Sequence, residues 1–331
     1  MSWLHNFWLA VLAAAMVGAI GFFVALPWVI QPILRVLLWP RYRLKLRGLE
    51  HLPRQGPALL AVNHVSWIDG FLLAAACPRR GRVLVNADYL SLPVVRSLAR
   101  RSGMIPVPAF GPRAQRAAIA AVRAALDSGQ VAALFPEAQI TRNGLLGPFY
   151  RGLEVILADR DQIPVIPVYF DNLWGSLFSF SGGRFLWKRP QGLRRTVGIA
   201  FGPPVTPPIT VFAVRQAVLA AGVQAFELRD RASSPLETLD PSLPRLEHPT
   251  LGLLAASTAD FHSNNVHQVG HKPDTVGHPV PGVALRVVNA AGDLVSPDTE
   301  GPLEALLAGQ PAWVETGLRA RIDRDGFVQL A

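Results

Sequence analysis

Ala58-Leu59-Leu60-Ala61-Val62-Asn63-His64-Val65-Ser66-Trp67-Ile68-Asp69-Gly70-Phe71-Leu72-Leu73 is the stretch on which the reading of the whole chain turns. Ala58 to Val62 reads as a short buried strand and Trp67 to Cys77 as the helix that follows it. A histidine stands at the junction and an aspartate follows five residues later. On one continuous helix that spacing would set His64 and Asp69 roughly 140° apart, at about 100° per residue, and they would not touch. With His64 on the loop and Asp69 in the first helical turn, the carboxylate can accept the imidazole N–H, fix its tautomer and stabilise the imidazolium. A histidine so held is a general base able to take the proton from a hydroxyl as it attacks a thioester, a role worth on the order of 10²–10⁴ in rate. A second reading stands beside it. Ser66 and Asp69 have the S-x-x-D spacing of a helix capping box, which would occupy the carboxylate without any chemistry.

Strand and helix signals alternate outward from this junction. Val83 to Asn86 repeats the strand pattern, and Arg113 to Ser128 is Ala-rich with Ile119, Val122 and Leu126 near a helical period, ended by Gly129. Val131 to Phe135 and Val197 to Phe201 are further strands. Ile163 to Phe170 mixes β-branched residues with prolines, which predicts a strand near a sheet edge. Strands spaced by helices predict an α/β sheet. Pro203, Pro204, Pro207 and Pro208 end that pattern, a helical stretch Val211 to Arg231 follows, and a second Pro-rich break covers Ser234 to Pro244. The expected division is an anchor at 1–40, the α/β domain at 41–210, a helical linker at 211–245 and a small β-rich unit at 246–331, with short strands such as Val283 to Val288.

The anchor rests on Phe7 to Leu34, 28 residues with no charge and no histidine. A helix needs only about 20 such residues to cross the hydrocarbon layer. Met1 to Asn6 lacks the positive start of a cleaved signal peptide. Pro27 and Pro32 would kink or break one helix, so a spanning helix and a re-entrant hairpin both fit. Trp3, Trp8, Trp28 and Trp39 bracket the run at headgroup level, and Arg35, Arg41, Arg43, Lys45, Arg47 and Arg54 follow it against a lone Glu50. That asymmetry predicts the inner (cytoplasmic) membrane, with the downstream domain on the cytoplasmic face.

Residues 1–245 carry 27 Lys/Arg against 13 Asp/Glu, and residues 246–331 carry 5 against 10. A basic body next to an apolar anchor favours an anionic lipid surface as partner and argues against nucleic acid. The single cysteine, Cys77, lies in an apolar run and reads as a small buried hydrophobe. Five of the eight histidines lie beyond residue 246, at spacings that match no metal-ligand pattern, so no metal and no cofactor is expected.

Four ordered blocks carry a resemblance. Asn63-His64 through Asp69 resembles the H-x₄-D motif of the glycerophospholipid acyltransferase family, the 1-acylglycerol-3-phosphate acyltransferase-like enzymes. Gly103-Met104-Ile105-Pro106-Val107 is similar to that family's second block, Phe135-Pro136-Glu137 to the start of its third, and Ile163-Pro164-Val165-Ile166-Pro167-Val168 to its fourth. The third block, with Gly144, Tyr150 and Gly152 after it, most resembles the acyltransferase half of the bifunctional 2-acylglycerophosphoethanolamine acyltransferase/acyl-carrier-protein synthetase. The resemblance implies a glycerol-3-phosphate acyltransferase-like αβ domain and transfer of a fatty acyl group from acyl carrier protein or coenzyme A to a lysophospholipid or lysophosphatidic acid. It implies His64 and Asp69 as the catalytic pair, and Asn63, Glu137, Arg142 and Arg113 as substrate-binding candidates. Two positions depart from the pattern. The third-block arginine stands two residues late, as Arg142, and the second block lacks its arginine, for which Arg113 is the nearest candidate.

Gln268 to Leu285, and Trp313 to Leu318 with Asp323 to Phe327, resemble segments of adenylate-forming acyl-activating enzymes. Leu318 stands where that family has a ribose-binding aspartate, and a side chain without an acceptor cannot take that hydrogen bond. The chain also lacks a Gly/Ser/Thr-rich loop ending in lysine. A truncated remnant without ligase activity is the expectation. An acyl ligase and an inactive membrane scaffold remain the competing functions.

Overall fold

The protein is seen in a computed structural model that describes residues 2–86, 103–107, 111–183, 188, 192–230, 239–263 and 266–331. Seven strands build its central sheet: β1 (Tyr42–Arg47), β2 (Ala58–Val62), β3 (Gly81–Asn86), β4 (Met104–Val107), β5 (Val131–Leu134), β6 (Val165–Asp171) and β7 (Arg195–Phe201). Their order is β1-β7-β6-β2-β5-β3-β4. Within it β6 and β7 pair antiparallel and all other neighbours are parallel.

Every residue of β2 is buried, as expected of a parallel strand covered on both faces. Leu60 and Val62 pack with Leu72 and Leu73 of α2 (Asp69–Ala76) on one face. Leu59 and Ala61 pack on the other with Val122 and Leu126 of α3 (Pro112–Asp127), Leu153 of α4 (Gly152–Leu157), and Val214 and Val218 of α5 (Val211–Phe226). The alternation follows from the two-residue side-chain period of a strand.

Two expectations are corrected here. β6 is an interior strand, between β7 and β2, rather than one near an edge. It tolerates Pro167 because the antiparallel ladder with β7 begins one residue later, at Val168↔Phe201, and at Pro167 only the carbonyl is used, by the Gly202 N–H at 2.8 Å. The helix Val211–Phe226 is no linker. Val214, Val218, Leu219 and Val223 are core residues of the α/β unit, while Phe212 enters the core of the C-terminal unit. Thr210 caps it, accepting the Ala213 N–H at 3.1 Å.

The C-terminal unit is all β. It contains β8 (Arg245–His248), β9 (Gly252–Ala256) and β12 (His278–Pro279) in one sheet, β10 (Phe261–Ser263) paired with β11 (Val266–Gln268), and β13 (Val283–Val287), β14 (Gly301–Leu307), β15 (Val314–Ile322) and β16 (Val328–Leu330) in another.

The N-terminal α1 (Ser2–Leu38) runs as one helix past Pro27 and Pro32, so the hairpin alternative is not what the chain adopts. Its C-terminal end docks on α2: Gln31 Nε2 donates to Cys77 O at 2.6 Å and Arg35 Nε to Ala75 O at 2.8 Å, which satisfies carbonyls left open at the end of that helix. Among the described residues no helix is long and apolar enough to cross a membrane, so the expected spanning helix is not established. What α1 does present is an exposed apolar surface that includes Trp3, Phe7, Trp8, Leu12, Met16, Val17 and Phe22. The side chain of Trp28, the third of the expected interfacial tryptophans, lies outside the described residues, whereas Trp39 is exposed. Several of the basic residues after the helix are already paired, Lys45 with Asp230 at 2.5 Å and Arg47 with Glu227.

Candidate active site

The site is assembled where β2 and β5 end side by side. Leaving β2, the chain turns at Asn63 to Ile68 before α2 begins at Asp69. His64 Nδ1 lies 2.9 Å from Asp69 Oδ2. The same oxygen accepts the backbone N–H groups of Val65 at 2.7 Å and Ser66 at 2.9 Å, and Oδ1 accepts the Ser66 hydroxyl. One carboxylate thus accepts from the backbone and hydroxyl of the turn and also holds the imidazole, although the Ser66 hydroxyl donates to it and does not cap α2, whose N-cap position is Ile68. Asp69 is fully buried while the His64 side chain keeps 22% of its exposure, so the pair is rigid on one side and open on the other. Nε2 of His64 has no protein hydrogen-bond partner among the described residues.

The segment after β5 fixes His64 from the other side. The Phe135 ring stacks on the imidazole, with centroids 4.3 Å apart. Glu137 Oε1 accepts the His64 backbone N–H at 2.7 Å, and the Thr141 N–H donates to the His64 carbonyl at 2.9 Å. Both backbone polar groups of the histidine are thus spoken for by the third block. Glu137 is itself buried, with Oε2 accepting the Gly147 N–H at 2.8 Å. Burial pushes its carboxyl up to about 7, against the lowering effects of the Gly147 and His64 N–H groups and of the His64 and Arg215 charges. A Cβ on Gly147 would stand 3.1 Å from Oε2, so a side chain there would press on the carboxylate.

Arg215 completes this support. Fully buried on α5, it donates from Nε to Gly147 O at 3.0 Å and from Nη2 to Leu146 O at 2.9 Å. Desolvation lowers its guanidinium to about 10, opposed by Glu137, Asp323 and Asp325. Sequence reasoning overlooked Arg215, although it is the lone charged residue of its helix, and that solitude was the available signal.

The four expected substrate-binding residues divide. Asn63 is buried and binds β6 with its amide, donating to Phe170 O at 3.1 Å and accepting the Phe170 N–H at 2.7 Å, so it braces the turn. Glu137 holds the backbone of the base. Arg142 sits beside the turn, its guanidinium 3.3 Å from the centroid of the Phe180 ring. Arg113 is exposed in the first turn of α3, which follows the edge strand β4, three strands from β2. Among the described residues no hydrogen bond or ion pair joins Arg113 to the His64 cluster. Burial raises the Cys77 thiol and leaves it a core residue. Among the described residues no group of three or more His, Cys, Asp or Glu is arranged to hold a metal.

Residues 43–171 match the acyltransferase family. The match contains His64, Asp69 and Glu137 and supports an acyltransferase enzyme. Curated relatives point the same way. The chain is 26% identical over 134 residues to the chloroplast 1-acyl-sn-glycerol-3-phosphate acyltransferase BAT2 of Brassica napus, and 25% identical over 134 residues to the corresponding enzyme LPAT1 of Arabidopsis thaliana. These alignments cover 40% of this chain and 38% and 37% of the relatives, so the chain spans well under half the length of the acyltransferases it matches. Among solved structures, the lysophosphatidic acid acyltransferase PlsC from Thermotoga maritima aligns with 63% of this chain and 81% of its own at 19% identity, with a TM-score of 0.44. That score is too low to establish a shared fold.

Proposed function

We propose that the protein transfers a fatty acyl group from an acyl thioester, on acyl carrier protein or coenzyme A, to the free hydroxyl of lysophosphatidic acid or another lysophospholipid. The observation that carries this reading is the His64–Asp69 pair at 2.9 Å, with no protein partner on Nε2 among the described residues. His64 Nε2 takes the proton of the acceptor hydroxyl as its oxygen attacks the thioester carbonyl. The new C–O bond forms, the C–S bond breaks, and the imidazolium returns its proton to the departing thiolate. Asp69 holds the ring and balances its transient charge, while Glu137, Phe135 and Thr141 keep the base in place. No covalent enzyme intermediate and no metal enters this scheme.

The reaction is proposed to occur at the inner membrane on its cytoplasmic face, with the exposed apolar surface of α1 against lipid. Residues 246–331 are proposed to be a remnant of an adenylate-forming enzyme without ligase activity. Purified protein supplied with labelled acyl thioester and lysophosphatidic acid should form phosphatidic acid. Undiminished turnover in a folded His64→Ala variant would overturn the mechanism. Fatty-acid-dependent release of pyrophosphate from ATP would instead mark a ligase.

A further inference from the structure

Residues outside the acyltransferase segment reach the site. Phe261 and Gln268 face each other across the β10/β11 pair, which puts both side chains on one face of it. Both meet Arg142. Gln268 Oε1 accepts the Arg142 backbone N–H at 2.6 Å, and the guanidinium lies 5.3 Å from the Phe261 ring centroid and 3.3 Å from that of Phe180. Gln268 is buried and also donates to Asn143 Oδ1 at 2.7 Å, whose Nδ2 donates to Thr258 Oγ1 at 2.8 Å. The C-terminal unit is thus fastened to the loop that follows Glu137 by a buried polar network, and Arg142 is gripped in the middle of it.

The grip leaves the arginine's charge unanswered. Arg142 has no carboxylate partner among the described residues, and its buried Nε has no hydrogen-bond partner. Desolvation lowers its pKa, the mark of a cation held without a counter-charge. It also stands next to the base. Thr141, the preceding residue, donates to the His64 carbonyl, and the segment carrying Phe180 meets the His64–Asp69 turn through the Ser66↔Ser179 bridge and the Trp67 N–H to Phe178 O bond at 3.1 Å. A planar fork of donors in this position suits phosphate oxygens.

We propose that Phe261 and Gln268 are positioning residues that aim the Arg142 guanidinium at the phosphate of the acyl acceptor, so that the C-terminal unit sets headgroup selection. This rests on the acyl-transfer reading above, and its test is built to fail separately. Initial rates are measured with lysophosphatidic acid and with monoacylglycerol, which offers hydroxyls but no phosphate, alongside direct binding of lysophosphatidic acid to the full chain in detergent micelles. Phe261→Leu keeps apolar bulk and removes the ring face; Gln268→Ala removes the backbone clamp; Phe261→Tyr restores a ring. Loss of a half-desolvated cation–π contact corresponds to a rise of about three- to thirtyfold in KM. The expected result is that rise for lysophosphatidic acid in Phe261→Leu and Gln268→Ala. KM for the thioester and the rate with monoacylglycerol should stay within about twofold, and Phe261→Tyr should restore the wild-type KM. A purely structural role would lower the melting temperature and the rates with both acceptors together, and that outcome overturns the proposal, as does an unchanged KM for lysophosphatidic acid. If the wild type transfers no acyl group, the functional reading fails, and the proposal then stands or falls on whether the same variants weaken lysophosphatidic acid binding.

Discussion

The carboxylate of Glu137 accepts the backbone N–H of His64 at 2.7 Å and the N–H of Gly147 at 2.8 Å, so a buried acid ties His64 to the loop behind it. Burial holds that acid near 7 instead of its ordinary 4.5. The folded chain therefore keeps a proton on Glu137 between about 4.5 and about 7 that the unfolded chain has lost, and this group makes stability decline as pH rises through that window, with no further change above it. Glu137→Gln removes the titration. The melting temperature of the wild type minus that of Glu137→Gln should fall between pH about 5 and about 7.5 and then level off. A difference independent of pH would place the carboxyl pKa near its ordinary value.

Because Asp69 both braces the turn and orients the imidazole, its two roles must be separated by their partners. Ser66→Ala removes the hydroxyl bonded to Oδ1 and leaves the His64 contact on Oδ2. It should cost about 1 kcal/mol of stability and change kcat by no more than a few-fold. His64→Ala should lower kcat on the order of 10²–10⁴-fold with little change in melting temperature. Asp69→Asn should lose both stability and rate. Rate loss in Ser66→Ala as deep as in His64→Ala would mean that the bond from the turn, and not the imidazole, limits turnover.

The His64–Asp69 contact was legible in sequence because it is local: strand, loop and helix follow directly from the apolar runs around His64, and five residues fix where Asp69 must lie. The alternation β2, α2, β3, α3, β5 was legible for the same reason, whereas β4 was read as a motif block and not as a strand. What the sequence hid is long-range. β6 read as an edge strand because its prolines forbid a central ladder in general, and only its offset from β7 makes the interior position workable. The bracing of Asn63 was hidden likewise, because its amide partner, Phe170, comes from a strand more than a hundred residues away. The helix Val211–Phe226 read as a linker because it lies between two proline-rich breaks, yet it supplies core to both units.

The junction between those units is sharpest at Gly326. Its φ of +92° lies in the region open to glycine, and a Cβ there would stand 2.0 Å from Arg215 Nη1. Arg215 is fully buried and cannot swing to solvent without leaving Leu146 and Gly147. Gly326→Ala should therefore destabilise the chain by about 2–4 kcal/mol, through backbone strain and overpacking together. Because Arg215 supports the loop that holds Glu137, acyl transfer should fall in the folded fraction as well. A variant with wild-type melting temperature would show that the C-terminal unit does not press on α5 at this point.

The apolar surface of α1 gives the last test. Phe7, Leu12 and Val17 keep 53%, 65% and 67% of their exposure, far more than large apolar residues retain against a protein partner, and nothing charged interrupts the run from Phe7 to Leu34. In water that surface is costly, at about 25 cal/mol per Å², and the proposal made above sets it against lipid, which covers apolar surface without a specific shape. Each such side chain contributes about 1.5–3 kcal/mol when buried, so replacing all three with glutamate should lower partitioning into anionic vesicles at least about a hundredfold. Turnover of acceptor embedded in vesicles should fall with it, while turnover of a short-chain acceptor dissolved as monomer should not, because the His64 turn packs on the sheet and not on the exposed part of α1. Vesicle sedimentation that is unchanged by the triple substitution would remove α1 from the membrane and leave the basic residues after it as the anchor to examine.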